Sequence, residues 1–262
     1  MILFSAFEPA TAHLIHFIFE WLGVLVGLQV YRALKRHKGQ PTLTEGPSFA
    51  VVFGCVLGAG IGNKLMFGLE MPQLVAEQGW LVLLQGQSIV GGLLGGLLGV
   101  EVAKKIKGLT QSTGDDFVLP LMVGTVVGRI GCFLAGLNDG TFGNATSLPW
   151  GIDFGDGIPR HPTQLYDMGW VLAVGAGLWR YRQRLQQVSG LSFKLYLSAY
   201  LCWRLGIDGL KPVPYSYIWG LSGIQCACVL ALVLYGPLLY RDLRRLKAVP
   251  VLAPRTSTTP LK

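Results

Sequence analysis

Seven stretches of largely apolar residues recur along this chain, and their length limits the fold more than any motif does. They cover 14–34, 49–69, 80–102, 117–137, 165–179, 193–210 and 218–240. A helix of about 20 apolar residues crosses the hydrocarbon core of a bilayer. It also satisfies its own backbone hydrogen bonds, which lipid cannot do. Composition agrees: 51% of residues are hydrophobic and 14% charged, where soluble domains carry roughly 25% charged residues. The sequence therefore predicts an all-α polytopic membrane protein with about seven transmembrane helices, forming one domain over 1–247. The fifth and sixth stretches are short and polar enough to tilt or to start above the membrane.

The net charge of +8 comes from 22 basic and 14 acidic residues. Seventeen of the basic residues follow the first, third, fifth and seventh stretches or lie in the tail. With seven spans these fall on one side. The positive-inside rule makes that side cytoplasmic, the N-terminus periplasmic and the C-terminus cytoplasmic. The basic balance thus reads as topology, not as nucleic-acid binding. No cleavable signal pattern opens the chain, so the first span is expected to act as its own signal. The Pro/Thr/Ser-rich tail, 248–262, reads as disordered and cytoplasmic. All five cysteines lie in apolar segments without zinc-ligand spacing, and read as small apolar residues.

Five basic residues remain: Lys64, Arg129, Arg160, Arg204 and Lys211. A charge within a span costs at least ~2.5 kcal/mol on insertion scales, so such residues line a polar pathway or pair with carboxylates. Glu20, Glu70, Glu101 and Asp208 are candidate partners. Arg129 stands out, because it interrupts an apolar run in Gly128-Arg129-Ile130-Gly131-Cys132-Phe133-Leu134-Ala135-Gly136. The third span carries glycines from Gly91 to Gly99, a pattern that lets helices or lipid chains approach the backbone.

A polar outer loop is predicted at about 138–164. Its Gly and Pro content forces turns. Asp153 and Asp156 match half of a calcium loop, but the rest of that pattern is missing. His161 reads either as a general base or as a donor that fixes the loop. Thr163 is placed to cap the fifth helix.

Three strings in this region resemble the prolipoprotein diacylglyceryl transferase family. The family signature G-R-x-G-N-F-x-N-x-E-x-x-G is matched at its glycines, Arg129 and Phe133. The stretch Leu148-Pro149-Trp150-Gly151 follows the family L-P-W-G. The stretch Arg160-His161-Pro162-Thr163-Gln164-Leu165-Tyr166-Asp167 follows R-H-P-S-Q-L-Y-E, and Lys211 stands at a position usually Arg. The chain departs from the family elsewhere. Val90 replaces a histidine of the third span, Cys132 and Ala135 replace asparagines, and Leu137 replaces a glutamate.

The resemblance implies an enzyme of the bacterial inner membrane. It would transfer a diacylglyceryl group from phosphatidylglycerol, or another anionic phospholipid, to the lipobox cysteine of a prolipoprotein signal peptide. The products would be a thioether and glycerol phosphate, with no metal or organic cofactor. Such chemistry needs cations where phosphate charge develops and help in forming the thiolate. On this reading Arg129 binds phosphate bidentately, Lys211 adds a point charge and His161 is the base. Arg160, Asp139, Tyr166 and Arg204 line the substrate, and Gly91 and Gly92 leave room for lipid. Two other readings are a divergent relative acting on another lipid or acceptor, and a non-catalytic lipid-binding membrane protein. A transporter would predict an internal repeat or paired broken helices, and no convincing one is found.

Overall fold

Proline opens α1 (Pro9–His37), α2 (Pro47–Glu70) and α3 (Pro72–Gln78). At a helix start its missing N–H has no intrahelical acceptor to lose. In a computed structural model, residues 2–3, 7–40, 47–84 and 86–248 are described. The remaining helices are α4 (Ile89–Ile106), α5 (Val118–Ala135), α6 (Thr163–Arg180), the short α7 (Arg182–Leu185), α8 (Leu191–Ile207) and α9 (Gly223–Ala248). Three two-residue strands, β1 (Ile2–Leu3), β2 (Ile152–Asp153) and β3 (Pro159–Arg160), form one small sheet, with β2 parallel to β1 and antiparallel to β3. This is the architecture of an all-α membrane protein. The segments Pro9–His37, Phe49–Glu70, Gly114–Asp139 and Gly223–Ala248 are long and apolar enough to cross a bilayer. Helices α4, α6 and α8 are shorter, at 18, 18 and 17 residues. The predicted tail lies outside the described residues, Ala248 apart.

The third predicted stretch divides in two. Trp80–Leu84 forms a 3-10 turn, and α4 begins only at Ile89. The polar residues Gln87 and Ser88 cause the break: Gln87 donates to Glu20 at 2.6 Å, and the Ser88 hydroxyl accepts from the Gly91 N–H at 3.5 Å as an N-cap. Thr163 also differs from expectation. Pro162 occupies the cap position of α6, and the buried Thr163 hydroxyl instead donates to the Thr141 carbonyl at 2.6 Å.

Small residues set the helix packing. On α2 and α4, Gly54, Gly58 and Gly62 face Gly99, Gly95 and Gly91. A Cβ on Gly58 would lie 2.2 Å from the Gly95 carbonyl oxygen, and one on Gly62 2.3 Å from that of Gly91. Such backbone contact drives helix association where lipid supplies no hydrophobic force. Helices α1 and α5 meet in the same way, with Gly23 against the Gly124 carbonyl. The apolar core gathers Met66, Val90, Val171, Tyr196, Leu197, Tyr200, Leu201 and Ile224 from α2, α4, α6, α8 and α9.

One end of the bundle is tied by ion pairs. Lys35 reaches Asp116 at 2.5 Å and Lys38 pairs with the same carboxylate. Asp115 accepts the backbone N–H groups of Gly190 and Phe193 at 2.7 and 3.0 Å, and Lys194 pairs with Asp242. The C-terminal ends of α1 and α9 therefore lie with the N-terminal ends of α5 and α8. At the opposite end Asp153 Oδ1 accepts the N–H groups of Gly155, Asp156 and Gly157 at 2.8, 3.1 and 3.0 Å. That carboxylate is the anchor of a turn.

Candidate functional site

Three helices bring their charges together near the loop end of the bundle. Arg129 lies in the last turns of α5, Asp167 in the second turn of α6, and Arg204 near the end of α8. Helical spacing puts Asp208 on the same face as Arg204, and a 3-10 turn over Asp208–Leu210 then returns Lys211 toward both. Arg129 Nη2 is 2.8 Å from Asp167 Oδ2, and Arg204 Nη2 is 2.6 Å from Asp208 Oδ1. Arg204 Nη1 and Lys211 Nζ approach Asp167 Oδ2 at 3.7 and 3.8 Å, and Lys211 reaches Asp208 at 4.0 Å. Asp167 is fully buried, and Arg129, Arg204 and Asp208 are at most 5% exposed.

Asp167 is held from its other side. Its Oδ1 accepts Trp203 Nε1–H at 2.7 Å, and Trp203 stacks on Trp170 with centroids 4.9 Å apart. Arg129, Arg204 and Lys211 thus face Asp167 and Asp208 in an apolar interior, and Glu70 of α2 lies close enough to interact with Arg204, Asp208 and Lys211. Buried ions need compensation, and the carboxylates of Asp167, Asp208 and Glu70 supply it. Among the described residues, Arg129 Nε, Arg204 Nε and Arg204 Nη1 have no hydrogen-bond acceptor.

A second polar group adjoins the first. Arg129 Nη1 contacts Cys132 Sγ at 3.7 Å. One side-chain polar atom each of His16, Cys132 and Asp139 lies within 4.8 Å of the others. His16 Nδ1 sits against Asp139, whose carboxylate also accepts from the Thr141 hydroxyl. Gln164 Nε2 donates to that hydroxyl at 3.3 Å.

The site residues expected from sequence separate into groups. Arg129, Arg204 and Lys211 meet, and Asp139 lies one residue away through Cys132. Arg160, His161 and Tyr166 sit in the loop instead. Arg160 pairs with Asp156 at 2.6 Å and lies over the Phe142 ring; that guanidinium holds the exposed Asp156 carboxyl below the usual carboxylate range. His161 Nδ1 is 3.4 Å from the Tyr166 hydroxyl, which accepts Trp150 Nε1–H at 2.7 Å. Gly91 is taken up by the contact with Gly62, while a Cβ on Gly92 would meet nothing within 4 Å. Lys64 donates to the carbonyls of Leu84 and Gly86 at 2.9 and 2.8 Å. Sequence reasoning did not place Asp167 among the site residues, although it closes the Arg160–Asp167 motif. It missed His16 altogether.

The sequence profile of one family, described as prolipoprotein diacylglyceryl transferase, matches residues 11–240. The chain belongs to that family. A phosphatidylglycerol–prolipoprotein diacylglyceryl transferase of Nitratidesulfovibrio vulgaris (strain DP4) is 33% identical over 212 residues, covering 75% of this chain and 80% of that protein. Proteins of the same name from Bordetella avium (strain 197N) and Polynucleobacter asymbioticus are each 30% identical. The first match covers 85% of this chain and 88% of the relative; the second covers 92% and 98%.

Two positions where this family member's sequence departs from the expected strings are buried. Val90 is 1% exposed inside the apolar core. Cys132 is buried beside Arg129, where a thiol offers a weaker hydrogen bond than an amide.

Proposed function

We propose that this chain is a phosphatidylglycerol–prolipoprotein diacylglyceryl transferase, moving a diacylglyceryl group to a lipobox cysteine thiol and releasing glycerol phosphate. The observation that carries the proposal is the cluster of Arg129, Arg204 and Lys211 over Asp167 and Asp208, with guanidinium N–H groups that have no hydrogen-bond acceptor among the described residues. A phosphodiester's oxygens can accept from those N–H groups on binding. When its ester bond breaks, negative charge grows on the leaving phosphate, and preorganised cations stabilise that state more than the bound lipid. Arg129 is assigned the bidentate phosphate contact, with Lys211 as a second cation. Arg204 and Asp208 set the geometry between them.

Residues 1–247 work on this reading as one membrane domain of seven spans, α1, α2, α4, α5, α6, α8 and α9. The end tied by Lys35, Asp116, Lys194 and Asp242 is cytoplasmic, which supports a periplasmic N-terminus and a cytoplasmic C-terminus in a bacterial inner membrane. The loop at 138–164 and the ion cluster then face the periplasmic half, where a signal peptide presents its cysteine. Arg160, His161 and Tyr166 shape the rim, and Gly92 leaves lipid-sized room on α4.

The test is direct. Purified protein is mixed with phosphatidylglycerol and a lipobox peptide, and diacylglyceryl peptide is sought by mass spectrometry. Wild type forms product and Arg129→Ala does not. No product from wild type with any of several anionic phospholipids would reject the transferase reading. Full activity in Arg129→Ala would reject the phosphate assignment.

A further inference from the structure

We propose that His16, oriented by Asp139, accepts the proton of the acceptor thiol; the inference rests on the transferase function above. An acceptor cysteine in water has a thiol pKa near 8.5, so most of it is protonated at neutral pH. The nucleophile is the thiolate, and the site must take up that proton. No imidazole is available from α4, where Val90 is sealed in the core. His161 is engaged in the loop with Tyr166.

His16 meets the structural requirements. Its Nδ1 lies against Asp139, and Cys132 Sγ stands beside the ring. A carboxylate on one ring nitrogen fixes the tautomer and stabilises the imidazolium as it forms. The Asp139 side chain is 4% exposed, whereas that of His16 is 26% exposed, so the carboxylate is fixed and the ring is reachable. The helix contact fixes its place: a Cβ on Gly131 would lie 2.4 Å from Phe19 Cβ and 3.5 Å from the His16 carbonyl oxygen. Glycine there brings α1 against α5, and the imidazole beside Cys132. Arg129 touches Cys132 from the other side at 3.7 Å. His16 and Arg129 therefore both border Cys132.

The step balances. The S–H proton passes to His16, the sulfur forms its bond to the glyceryl carbon, and the carbon–oxygen bond to phosphate breaks. The electron pair leaves with glycerol phosphate, and the imidazolium returns its proton to that product or to water. The groups facing the imidazole are Asp139 and Cys132, with Arg129 behind them and Glu20 one turn along α1, bonded to Gln87.

The experiment compares wild type, His16→Gln and Asp139→Asn as full-length proteins, with turnover measured from pH 6 to 9.5. General-base catalysis contributes roughly 100- to 10,000-fold. His16→Gln is expected to lose at least 100-fold in kcat near pH 7 while KM for phosphatidylglycerol changes less than threefold. Its deficit shrinks as pH rises through the thiol's own ionisation, because the peptide then arrives as thiolate. Asp139→Asn loses less, and the acidic limb of its profile moves to lower pH, since the imidazolium has lost its carboxylate. A His16→Gln rate within threefold of wild type, or a deficit equal at every pH, overturns the assignment while the transferase reading stands. Absence of product from wild type overturns both.

Discussion

Arg129 Nη2 and Asp167 Oδ2 stand 2.8 Å apart across the α5–α6 interface, both buried. The pair joins the signature arginine to the last residue of the Arg160–Asp167 motif, so two strings far apart in sequence form one structure. Asp167 also answers Arg204 and Lys211. Removing it leaves Arg129, Arg204 and Lys211 with Asp208 and Glu70. Asp167→Ala is expected to destabilise the protein by about 3–5 kcal/mol, the usual cost of orphaning a buried ion. The double variant Asp167→Ala, Arg129→Leu should regain part of that stability and none of the activity. Unfolding in detergent, read as a double-mutant cycle, checks the coupling.

Lys211 tests whether charge or fork geometry matters at the second cation. Its ammonium stands 3.8 Å from Asp167 and 4.0 Å from Asp208, longer than a tight hydrogen bond, so it acts mainly through its field. Lys211→Met should lower kcat/KM for phosphatidylglycerol by about 10- to 100-fold, corresponding to ~1.4–2.7 kcal/mol of transition-state stabilisation. Lys211→Arg should retain most of it. Equal losses in both variants would assign Lys211 to packing.

The glycine contact between α2 and α4 predicts unequal tolerance at neighbouring positions. Gly95→Val drives a side chain into the Gly58 carbonyl, which as backbone cannot step aside. Overpacking costs typically 1–3 kcal/mol, and about that loss or more is expected in the unfolding free energy. Gly92→Ala, with open space around it, should leave the unfolding transition within about 0.5 kcal/mol of wild type. A larger bulk at 92 is a different question: Gly92→Trp should raise KM for lipid if the chain passes there.

The apolar segments and the buried cations were legible in sequence because both follow from period and charge count. Arg204 and Asp208, four residues apart, share a helix face by spacing, and Lys211 joins them only through the 3-10 turn that follows. The division of the third stretch was missed because Trp80–Leu84 is as apolar as a span, and only the polar Gln87–Ser88 step shows that the helix starts later. Asp167 appears in the sequence only as the end of the Arg160–Asp167 string; its central place depends on α5 and α8 packing against α6, which no local pattern records. His16 was invisible for the same reason. It is one of three histidines on α1, and its carboxylate partner comes from the 3-10 turn that follows α5. Arg160, His161 and Tyr166 carry the most specific motif, yet they build the loop around Trp150 and Asp156 rather than the ion cluster. A motif string marks residues that fold together, and here its members divide between the loop and the ion cluster.

Val90 separates two accounts of the altered polar set. If the third-span position faces substrate, restoring the family imidazole should help. The side chain is 1% exposed and packed in the apolar cluster with Met66, Tyr196 and Ile224. An imidazole there is larger than valine and brings two nitrogens with no partner in that cluster. An unsatisfied buried polar group costs about 1–3 kcal/mol. Val90→His is therefore expected to lower the unfolding midpoint and to leave turnover at or below wild type, because His16 already supplies the proton acceptor. Placing Val90→His in a His16→Gln background sharpens the test. Turnover should stay at the His16→Gln level; recovery toward wild type would show that α4 can present a base to the same thiol.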